Sequence, residues 1–374
     1  MLRLPWRIPL YMPFRAIGRP RLLPLNVTVS VTDRCNSRCR TCNIWRRKPD
    51  DERTADGELS VAEFDRVFES LGHAPYWFTF SGGEPFLRRD LEDLCQSAYA
   101  HCHPAIVNIP TNGLLHRQIP GRVAEIARRC PDSQLIVNLS LDGVGERHDD
   151  IRNVPGNFQR VMDTFRGLTG LDAPNLTVGL HTVISVYNLD DFEDVYRFAR
   201  QLAPDSYVTE IAEERAELDT IGSAITPSAD DYARVIDFLI DQLRRQQFLR
   251  VSRTTQALRL VYYDLVKRIM REKRQVIPCY AGWLSAHILP GGEVWECSVM
   301  GTSMGNLRDV GYDMRRLWFS TRADEVRRAV KTRGCYCPVA NISYTNMMCD
   351  PVSVVKVAAQ IAGCPRSPWA HTGS

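Results

Sequence analysis

Six strand-like segments alternate with helix-like segments between residues 25 and 211, and this alternation constrains the fold more than any other feature of the chain. The predicted strands, which are apolar and often β-branched or aromatic, are Leu25–Val31, Tyr76–Phe80, Ala105–Ile109, Gln134–Leu141, Leu176–Ser185 and Ser206–Ile211. The predicted helices are Val61–Leu71, Leu87–Ala100, Ile119–Arg129, Phe158–Leu168 and Asp191–Leu202. Repeated βα units of this length imply a parallel sheet covered by helices, and six of them predict an open, partial TIM-like barrel whose site lies where the strands end.

Beyond Ile211 the pattern changes, and the chain becomes rich first in charge and then in cysteine. Two further helices are predicted at Asp230–Arg245 and Thr255–Arg271, and a hairpin at Ser285–Cys297 turns at Pro290-Gly291-Gly292. The remainder is expected to be loop-rich. The predicted fold class is α/β, a partial (β/α)6 TIM-like barrel with a small Cys-rich C-terminal α+β domain. We expect an N-terminal strap at residues 1–24, the core barrel at 25–272 and the C-terminal domain at 273–374.

Composition limits the classes of protein to consider. A net charge of +3 over 374 residues predicts no nucleic-acid-binding face. No apolar run approaches the roughly 18 residues of a membrane span, and the N-terminus lacks the apolar core and cleavage site of a secretory signal. Twelve cysteines without an export signal indicate a cytoplasmic protein whose clustered cysteines bind metal rather than pair as disulfides.

The first 26 residues combine arginines and large apolar residues without any acidic residue. The arginines are Arg3, Arg7, Arg15, Arg19 and Arg21. One interpretation is a basic amphipathic segment that contacts a membrane surface or an amphiphilic substrate. The interpretation we favour is a strap packed on the barrel, because prolines interrupt any continuous helix. These prolines are Pro5, Pro9, Pro13, Pro20 and Pro24.

Three closely spaced cysteines follow directly on the first predicted strand. Cys35, Cys39 and Cys42 form a C-x3-C-x2-C pattern in the segment VTDRCNSRCRTCNIW. Three thiolates can hold three irons of a [4Fe-4S] cube, which leaves the fourth iron open to a small molecule. The alternatives are a zinc site or three unrelated buried thiols. Zinc prefers four ligands, and no histidine lies near this loop.

The spacing and position of the triplet resemble the signature of the radical S-adenosylmethionine (radical SAM) superfamily. That family usually has an aromatic residue just before the third cysteine, where this chain has Thr41. The resemblance implies a [4Fe-4S] cluster that binds SAM and cleaves it reductively. The product is a 5′-deoxyadenosyl radical that abstracts hydrogen from a substrate. It also implies an electron donor such as flavodoxin or ferredoxin.

Further motifs of that family follow in the expected order. Gly82, Gly83 and Glu84, in the segment SGGEP, resemble the motif that receives the amino group of SAM, although a glycine pair is also common in simple turns. Asn112, in TNG, resembles the segment near the ribose, and it fits an Asx turn equally well.

The next two strands carry the remaining resemblance to the SAM site. Ser140 and Arg152 correspond to residues that hold the SAM carboxylate in the family, and a guanidinium suits a carboxylate. The alternative for Arg152 is an ordinary surface position at a helix start. Val183 resembles an apolar residue beside the adenine, although apolar strand residues more often belong to a core.

The C-terminal region has cysteines of its own, and it resembles a SPASM or shortened twitch domain, which holds auxiliary clusters. The resemblance implies one second [4Fe-4S] cluster, on Cys279, Cys297, Cys335 and Cys337, with Cys349 as the replacement for one of the last pair. Zinc on the same four cysteines is the competing interpretation. The isolated Cys95, Cys102 and Cys130 are expected to be structural.

The sequence names a class of reaction but no substrate. We expect a small molecule, such as a sugar, cofactor or isoprenoid lipid precursor. The first alternative is a peptide or protein, although the segment before the barrel is too short for a winged peptide-recognition domain. The second alternative is a non-catalytic iron–sulfur or zinc protein. No catalytic residue is identified, and Glu210, Glu213 and Arg215 are candidates by position alone.

Overall fold

The computed structural model describes residues 6–47, 57–245, 252–332 and 335–363. Over these residues, nine strands form one sheet in the order β6-β5-β4-β3-β2-β1-β7-β8-β9. They are β1 Asn26–Thr32, β2 Trp77–Gly82, β3 Ile106–Thr111, β4 Gln134–Ser140, β5 Leu176–Ile184, β6 Ser206–Ile211, β7 Ser285–Ile288, β8 Glu293–Trp295 and β9 Ser303–Asn306. Neighbouring strands from β1 to β6 pair in parallel, and β7 pairs in parallel with β1. The predicted open, partial barrel is confirmed, and β6 has the predicted bounds.

Helices cover the outer face of this sheet. They are α1 Tyr11–Ile17, α2 Val61–Leu71, α3 Leu91–Cys102, α4 Ile119–Arg129, α5 Glu146–Arg152, α6 Asn157–Thr169, α7 Phe192–Gln201, α8 Ala229–Arg245 and α9 Arg253–Glu272, followed by α10 Met314–Trp318, α11 Thr321–Thr332, α12 Ala340–Met348 and α13 Pro351–Gly363. Local sequence explains several boundaries. For example, α2 begins with a reciprocal capping box between Ser60 and Glu63 and ends at Gly72.

The two faces of the barrel sheet differ in character. Along the central strand β4, residues alternate from Gln134 to Ser140 between partly exposed and buried. The buried set joins the main apolar core with the outer helices, whereas the alternate set faces the inside of the barrel. Although β4 pairs with a strand on each side, its inward-facing residues remain partly exposed. The inside of the barrel is therefore open to solvent and is lined by polar groups such as Asn138.

The C-terminal region contains more regular structure than the sequence predicted. The hairpin is confirmed, since β8 pairs antiparallel with β7, and it extends the barrel sheet beyond β1. The expectation of a loop-rich remainder is wrong, because α10 to α13 occupy most of it. Tertiary contacts stabilise these short helices. The buried Arg327 of α11, for example, donates to the carbonyl oxygens of Gly282 and Trp318 at 2.6 and 2.7 Å.

The N-terminal segment packs against the C-terminal region. Tyr11 and Phe14 of α1 are buried in a cluster with Trp283, and the Arg15 Nε donates to the carbonyl oxygen of Cys279 over 2.8 Å. Pro13 is tolerated because it lies in the first turn of α1, where its missing amide would have no partner within the helix. Residues 1–5, with Arg3 and Pro5, lie outside the described part. Over the described ranges, every helix is too short or too polar to cross a membrane.

Candidate active site

The loop after β1 carries the three cysteines, and its second half is fixed by hydrogen bonds to two other segments. The Arg40 amide donates to the carbonyl oxygen of Ile151, at the end of α5, over 2.9 Å. On the other side, the Asn43 amide donates to the carbonyl oxygen of Leu218, in the loop after β6, over 2.8 Å. The loop is therefore clamped between α5 and the segment that follows β6, and Cys35, Cys39 and Cys42 are held at the carboxyl edge of the barrel.

The three thiols are surrounded by hydrogen-bond donors. The Ser37 amide lies 3.4 Å from the Cys35 Sγ, and the Ser37 hydroxyl lies 3.2 Å from the Cys39 Sγ. The Arg152 Nη1 donates to the Cys39 Sγ over 3.3 Å. Burial, and then the neighbouring Cys39, raises the pKa of the Cys35 thiol and raises that of Cys42 to about 12. Thiols crowded in this way give up their protons readily only to a metal, and the nearby donors would stabilise the resulting thiolates.

Gly82 and Gly83 allow the end of β2 to lie directly on the cysteine loop. The Gly83 amide donates to the carbonyl oxygen of Thr32, and the Glu84 amide to that of Arg34, both over 2.8 Å. A Cβ atom on Gly83 would stand 2.0 Å from the Arg34 oxygen, and one on Gly82 would stand 2.3 Å from the Thr32 oxygen. The glycines therefore serve a contact within the protein, in addition to any approach of a ligand.

Glu84 joins the ends of β2 and β3. Its Oε1 accepts from the Thr111 hydroxyl at 2.8 Å and from the Phe86 amide at 3.2 Å, and its Oε2 accepts from the Asn112 amide at 2.8 Å. Burial raises the pKa of this carboxyl to about 7, against the opposing effect of these hydrogen bonds. The Asn112 Oδ1 accepts from the Leu114 amide over 3.0 Å, so the Asx turn that the sequence allowed is present. Its Nδ2 reaches the Cys35 Sγ at 3.9 Å.

Arg152 lies at the end of α5 and not at a helix start, and its side chain reaches inward. The Arg152 Nε lies 2.9 Å from the Asp142 Oδ2 in an ion pair that lacks well-aligned hydrogen-bond geometry. Burial opposes the charge of Arg152, but Asp142 and Cys39 raise its pKa above the usual value. Asp142 also accepts from the Val183 amide over 2.8 Å. The guanidinium therefore stands between the cysteine loop and the ends of β4 and β5.

Ser140 and Val183 complete the set of residues predicted for the SAM site. Both are partly exposed at the carboxyl ends of adjacent strands, where Ser140 pairs with His181 in the register of β4 and β5. The structure thus places every predicted SAM residue on one edge of the barrel, beside the cysteine loop. None of these residues is remote from the others along the sheet, since β2 to β5 are successive neighbours.

Four of the C-terminal cysteines lie together. Cys279, Cys297, Cys335 and Cys337 line one small cavity with apolar neighbours that include Ala281 and Ile342. Burial raises the pKa of Cys297 to about 12 and that of Cys279 to about 11. Four cysteines around one cavity are, by their chemistry, a donor set that a [4Fe-4S] cluster or a zinc ion takes.

Cys349 lies apart from these four. It packs in the cluster of Tyr11 and Trp283, and its Sγ is 3.9 Å from the carbonyl oxygen of Ile8. Cys364, the last cysteine of the chain, lies outside the described residues. Across the residues that the structure describes, no three histidine, cysteine, aspartate or glutamate side chains are arranged to hold a single metal ion.

Sequence reasoning missed two supporting residues of the site. Asp142 follows β4 directly, and its partner His148 lies on α5, where the His148 Nδ1 accepts from the Asp142 amide over 3.1 Å. Burial lowers the pKa of His148 to about 4, so this imidazole is neutral. The signal for Asp142 was its place at a strand end, in the SLDG segment, whereas nothing local indicated that His148 would be buried.

Comparison with known proteins agrees with this geometry. Residues 29–199 match the family model described as Radical SAM superfamily, and this stretch contains the cysteine loop and every predicted SAM residue. The chain therefore contains a radical SAM domain, and its similarity to named enzymes supports a radical SAM enzyme with SAM and an iron–sulfur cluster as its cofactors.

Three similar proteins illustrate the range of the family. The AdoMet-dependent heme synthase of Oleidesulfovibrio alaskensis is 24% identical over 301 residues, which cover 75% of this chain and 71% of that protein. The antilisterial bacteriocin subtilosin biosynthesis protein AlbA of Bacillus subtilis is 24% identical over 297 residues, 78% of this chain but only 59% of AlbA. The crystal structure of Streptococcus suis SuiB bound to S-adenosylmethionine superposes with a TM-score of 0.60 at 13% identity, covering 91% and 77% of the two chains, and so shows a shared fold.

Proposed function

We propose that Cys35, Cys39 and Cys42 hold the [4Fe-4S] cluster of this enzyme and leave one iron open to SAM. The observation that carries the proposal is that three cysteines lie in one clamped loop at a strand end, where Ser37 and Arg152 contact the sulfurs of Cys35 and Cys39. When bound together, such a cluster and SAM supply reductive cleavage to methionine and a 5′-deoxyadenosyl radical. A protein donor such as flavodoxin or ferredoxin is the proposed source of the electron.

The residues around the loop are proposed to orient SAM. Gly82, Gly83 and Glu84 present backbone groups for its amino group, and Asn112 lies toward the ribose. Ser140 and Arg152 hold its carboxylate, for which the Arg152 guanidinium is held ready by Asp142. Val183 lies against the adenine. The fit is supported by the charge of Arg152, because Asp142 and Cys39 keep this guanidinium protonated despite its burial, and its planar set of donors suits a carboxylate.

The region 273–374 is proposed to be an auxiliary-cluster domain that holds a second [4Fe-4S] cluster on Cys279, Cys297, Cys335 and Cys337. Support comes from the shared cavity of these four cysteines. The position of Cys349, against Tyr11 and the carbonyl oxygen of Ile8, argues against its use as a replacement ligand. Zinc on the same four residues is the competing proposal, and the metal content of the protein separates the two.

The substrate is proposed to be a small molecule, with a peptide as the second candidate. Relatives that correspond to both candidates are found, since one is named as a heme synthase and another as a bacteriocin biosynthesis protein. The open, polar lumen of the barrel, with Asn138 and His181 on its inner face, suits a polar molecule of limited size. This arrangement is the reason for placing the small molecule first.

One experiment tests the central proposal. The protein is reconstituted anaerobically with iron and sulfide, mixed with SAM and dithionite, and assayed for 5′-deoxyadenosine. Release by the wild-type chain and none by Cys39→Ala are expected. The matched control is Cys102→Ala, a buried cysteine on α3 that is remote from both cysteine sets and whose Sγ contacts the carbonyl oxygen of Phe68. A fully active Cys39→Ala variant would overturn the cluster assignment, and an intact cluster without SAM cleavage would favour a non-catalytic protein.

A further inference from the structure

A network of charged and imidazole side chains faces the lumen of the barrel near the carboxyl edge. His181 and Glu210 lie on the inner faces of β5 and β6, because Val183 pairs with Glu210 and inward positions alternate along each strand. His287 lies on the inner face of β7, where its Nε2 contacts the Ser30 hydroxyl at 2.8 Å. We name as the lumen network the six residues His181, Glu210, Glu213, Arg215, Glu217 and His287.

The centre of the lumen network is the largely buried guanidinium of Arg215. The Arg215 Nη2 lies 3.2 Å from the Glu210 Oε2 and 3.3 Å from the Glu213 Oε1. The Glu217 Oε1 lies 3.6 Å from the His287 Nε2. Glu213 and Glu217 are both more than nine-tenths buried. The two ion pairs of Arg215 are therefore formed out of bulk water, where charges act on one another strongly.

The loop that carries Glu213, Arg215 and Glu217 joins the two sets of cysteines. At one side, the Asn43 amide, next to Cys42, donates to the carbonyl oxygen of Leu218 over 2.8 Å. At the other side, the Glu217 amide donates to the carbonyl oxygen of Ser298, next to Cys297, over 3.0 Å. The lumen network thus stands between the loop that is proposed to bind SAM and the four C-terminal cysteines.

Several polar atoms of the network have no hydrogen-bond partner in the described structure. These buried atoms are the His181 Nε2, the Arg215 Nε and the His287 Nδ1. The Glu213 Oε1 forms its ion pair with Arg215 without well-aligned hydrogen-bond geometry. Buried polar atoms without a partner are unfavourable, so these three call for a ligand or ordered water in the lumen.

The charge balance determines which ligand the network suits. Three carboxyl groups face one guanidinium, and the nearby Arg47 and Asp33 lie 3.9 Å apart and offset one another. Burial raises the pKa of the Glu213 carboxyl to about 8, and it lowers the pKa of both His181 and His287, which therefore add no positive charge. Even with Glu213 protonated, the other two carboxylates outnumber the single guanidinium, and a cation bound beside Glu213 would favour its ionised form. An anionic ligand group would be repelled here, whereas a cationic donor group would be stabilised.

We propose that the lumen network is the substrate-binding site and that it takes a substrate bearing a primary amine in its ammonium form. This inference rests on the proposed function, because it places the substrate beside the proposed SAM site. Glu213 and Glu217 bind the ammonium group, and Arg215 holds the Glu213 carboxylate in position. The two histidines accept or donate hydrogen bonds to the remaining polar groups of the substrate.

The test uses reconstituted holoenzyme and two probes of equal size, butylammonium and butyrate. Paramagnetic broadening of probe protons by the dithionite-reduced enzyme, relative to the oxidised enzyme, measures binding near a cluster. We expect broadening for butylammonium alone. The double variant Glu213→Gln/Glu217→Gln is expected to weaken this binding by about tenfold or more. The control is Glu193→Gln on α7, whose carboxylate pairs with Arg197 at the exposed surface.

The possible outcomes separate this inference from the proposed function. Wild-type enzyme that releases 5′-deoxyadenosine but broadens butyrate as strongly as butylammonium overturns the inference alone. Equal butylammonium binding by the double variant, at wild-type iron content, overturns it as well. If the double variant does not fold, the comparison of the two probes on wild-type enzyme decides. Wild-type protein that forms no cluster and releases no 5′-deoxyadenosine overturns the proposed function itself.

Discussion

Glu84 and Asn112 end neighbouring strands of the barrel and are joined by a hydrogen bond of 2.8 Å from the Asn112 amide to the Glu84 Oε2. Through this bond, two short motifs that are 28 residues apart form one surface. Glu84 also donates its own amide to the carbonyl oxygen of Arg34 in the cysteine loop. A single residue therefore connects the end of β2, the end of β3 and the loop that carries the three thiols.

Replacement of Gly83 by alanine is expected to displace the cysteine loop. Its Cβ would stand 2.0 Å from the carbonyl oxygen of Arg34, so the backbone of one segment has to move. Overpacking of this kind costs about 1–3 kcal/mol, and reconstituted Gly83→Ala protein is expected to contain less iron and sulfide than wild type. Gly121→Ala on α4 is the matched control, because its new Cβ meets nothing within 4 Å beyond its chain neighbours and the backbone of its own helix. Equal iron content in the two variants would contradict the packing argument.

The iron and sulfide content of two variants tests whether Cys337 or Cys349 is a ligand of the second cluster. Two [4Fe-4S] clusters correspond to roughly eight iron and eight sulfide per chain. Cys337→Ala is expected to lower both by about four, since Cys337 lines the cavity of four cysteines. Cys349→Ala is expected to leave both at the wild-type level, since Cys349 packs against Tyr11 instead. Wild-type protein with about four iron and one zinc would confine iron to the barrel and show that the four cysteines hold zinc.

Arg152→Lys is expected to weaken SAM binding by about tenfold or more, because an ammonium group cannot replace a planar guanidinium that pairs with a carboxylate. The measurement is a SAM titration followed by the spectroscopic change of the reduced cluster. Arg147→Lys is the control on the same helix, since Arg147 forms an exposed ion pair with Asp191 at 2.7 Å. Unchanged SAM affinity in Arg152→Lys would exclude the proposed carboxylate contact.

His148 is expected to make stability depend on pH. Burial lowers its pKa from 6.5 to about 4, so between these values the unfolded chain binds a proton that the folded chain does not. Stability is therefore fully present above about pH 6.5 and is lost as pH falls toward about 4. Between pH 7 and pH 5 this loss is about 2 kcal/mol.

Urea unfolding of the reconstituted protein at both pH values measures the loss. In His148→Asn, whose amide oxygen can still accept from the Asp142 backbone, the drop is expected to be smaller by about 2 kcal/mol. The exposed His103, at the end of α3, provides the control His103→Asn, because its backbone already has the left-handed conformation that asparagine tolerates. Equal drops in wild type and His148→Asn would show that His148 does not govern this pH dependence.

The sequence alone determined the barrel and indicated which cysteines are the candidate ligands of its cluster. Period and residue type are local properties, so the six strands were placed to within two residues, and β6 and α2 were placed without error. The C-x3-C-x2-C spacing and the order of the later motifs are also local, and they were sufficient to indicate the radical SAM family.

Only the tertiary structure decided which distant groups meet. Cys337 and Cys349 are equivalent in the sequence, but α12 separates them into different clusters. His181, Arg215 and His287 come from β5, the loop after β6 and β7, and no local pattern links them. The helices after residue 313 were missed for the same reason, because packing against the rest of the chain and not local propensity holds them in place. Which residues far apart in the chain come into contact depends on how the strands and helices assemble into the barrel. No local stretch of the sequence contains that information.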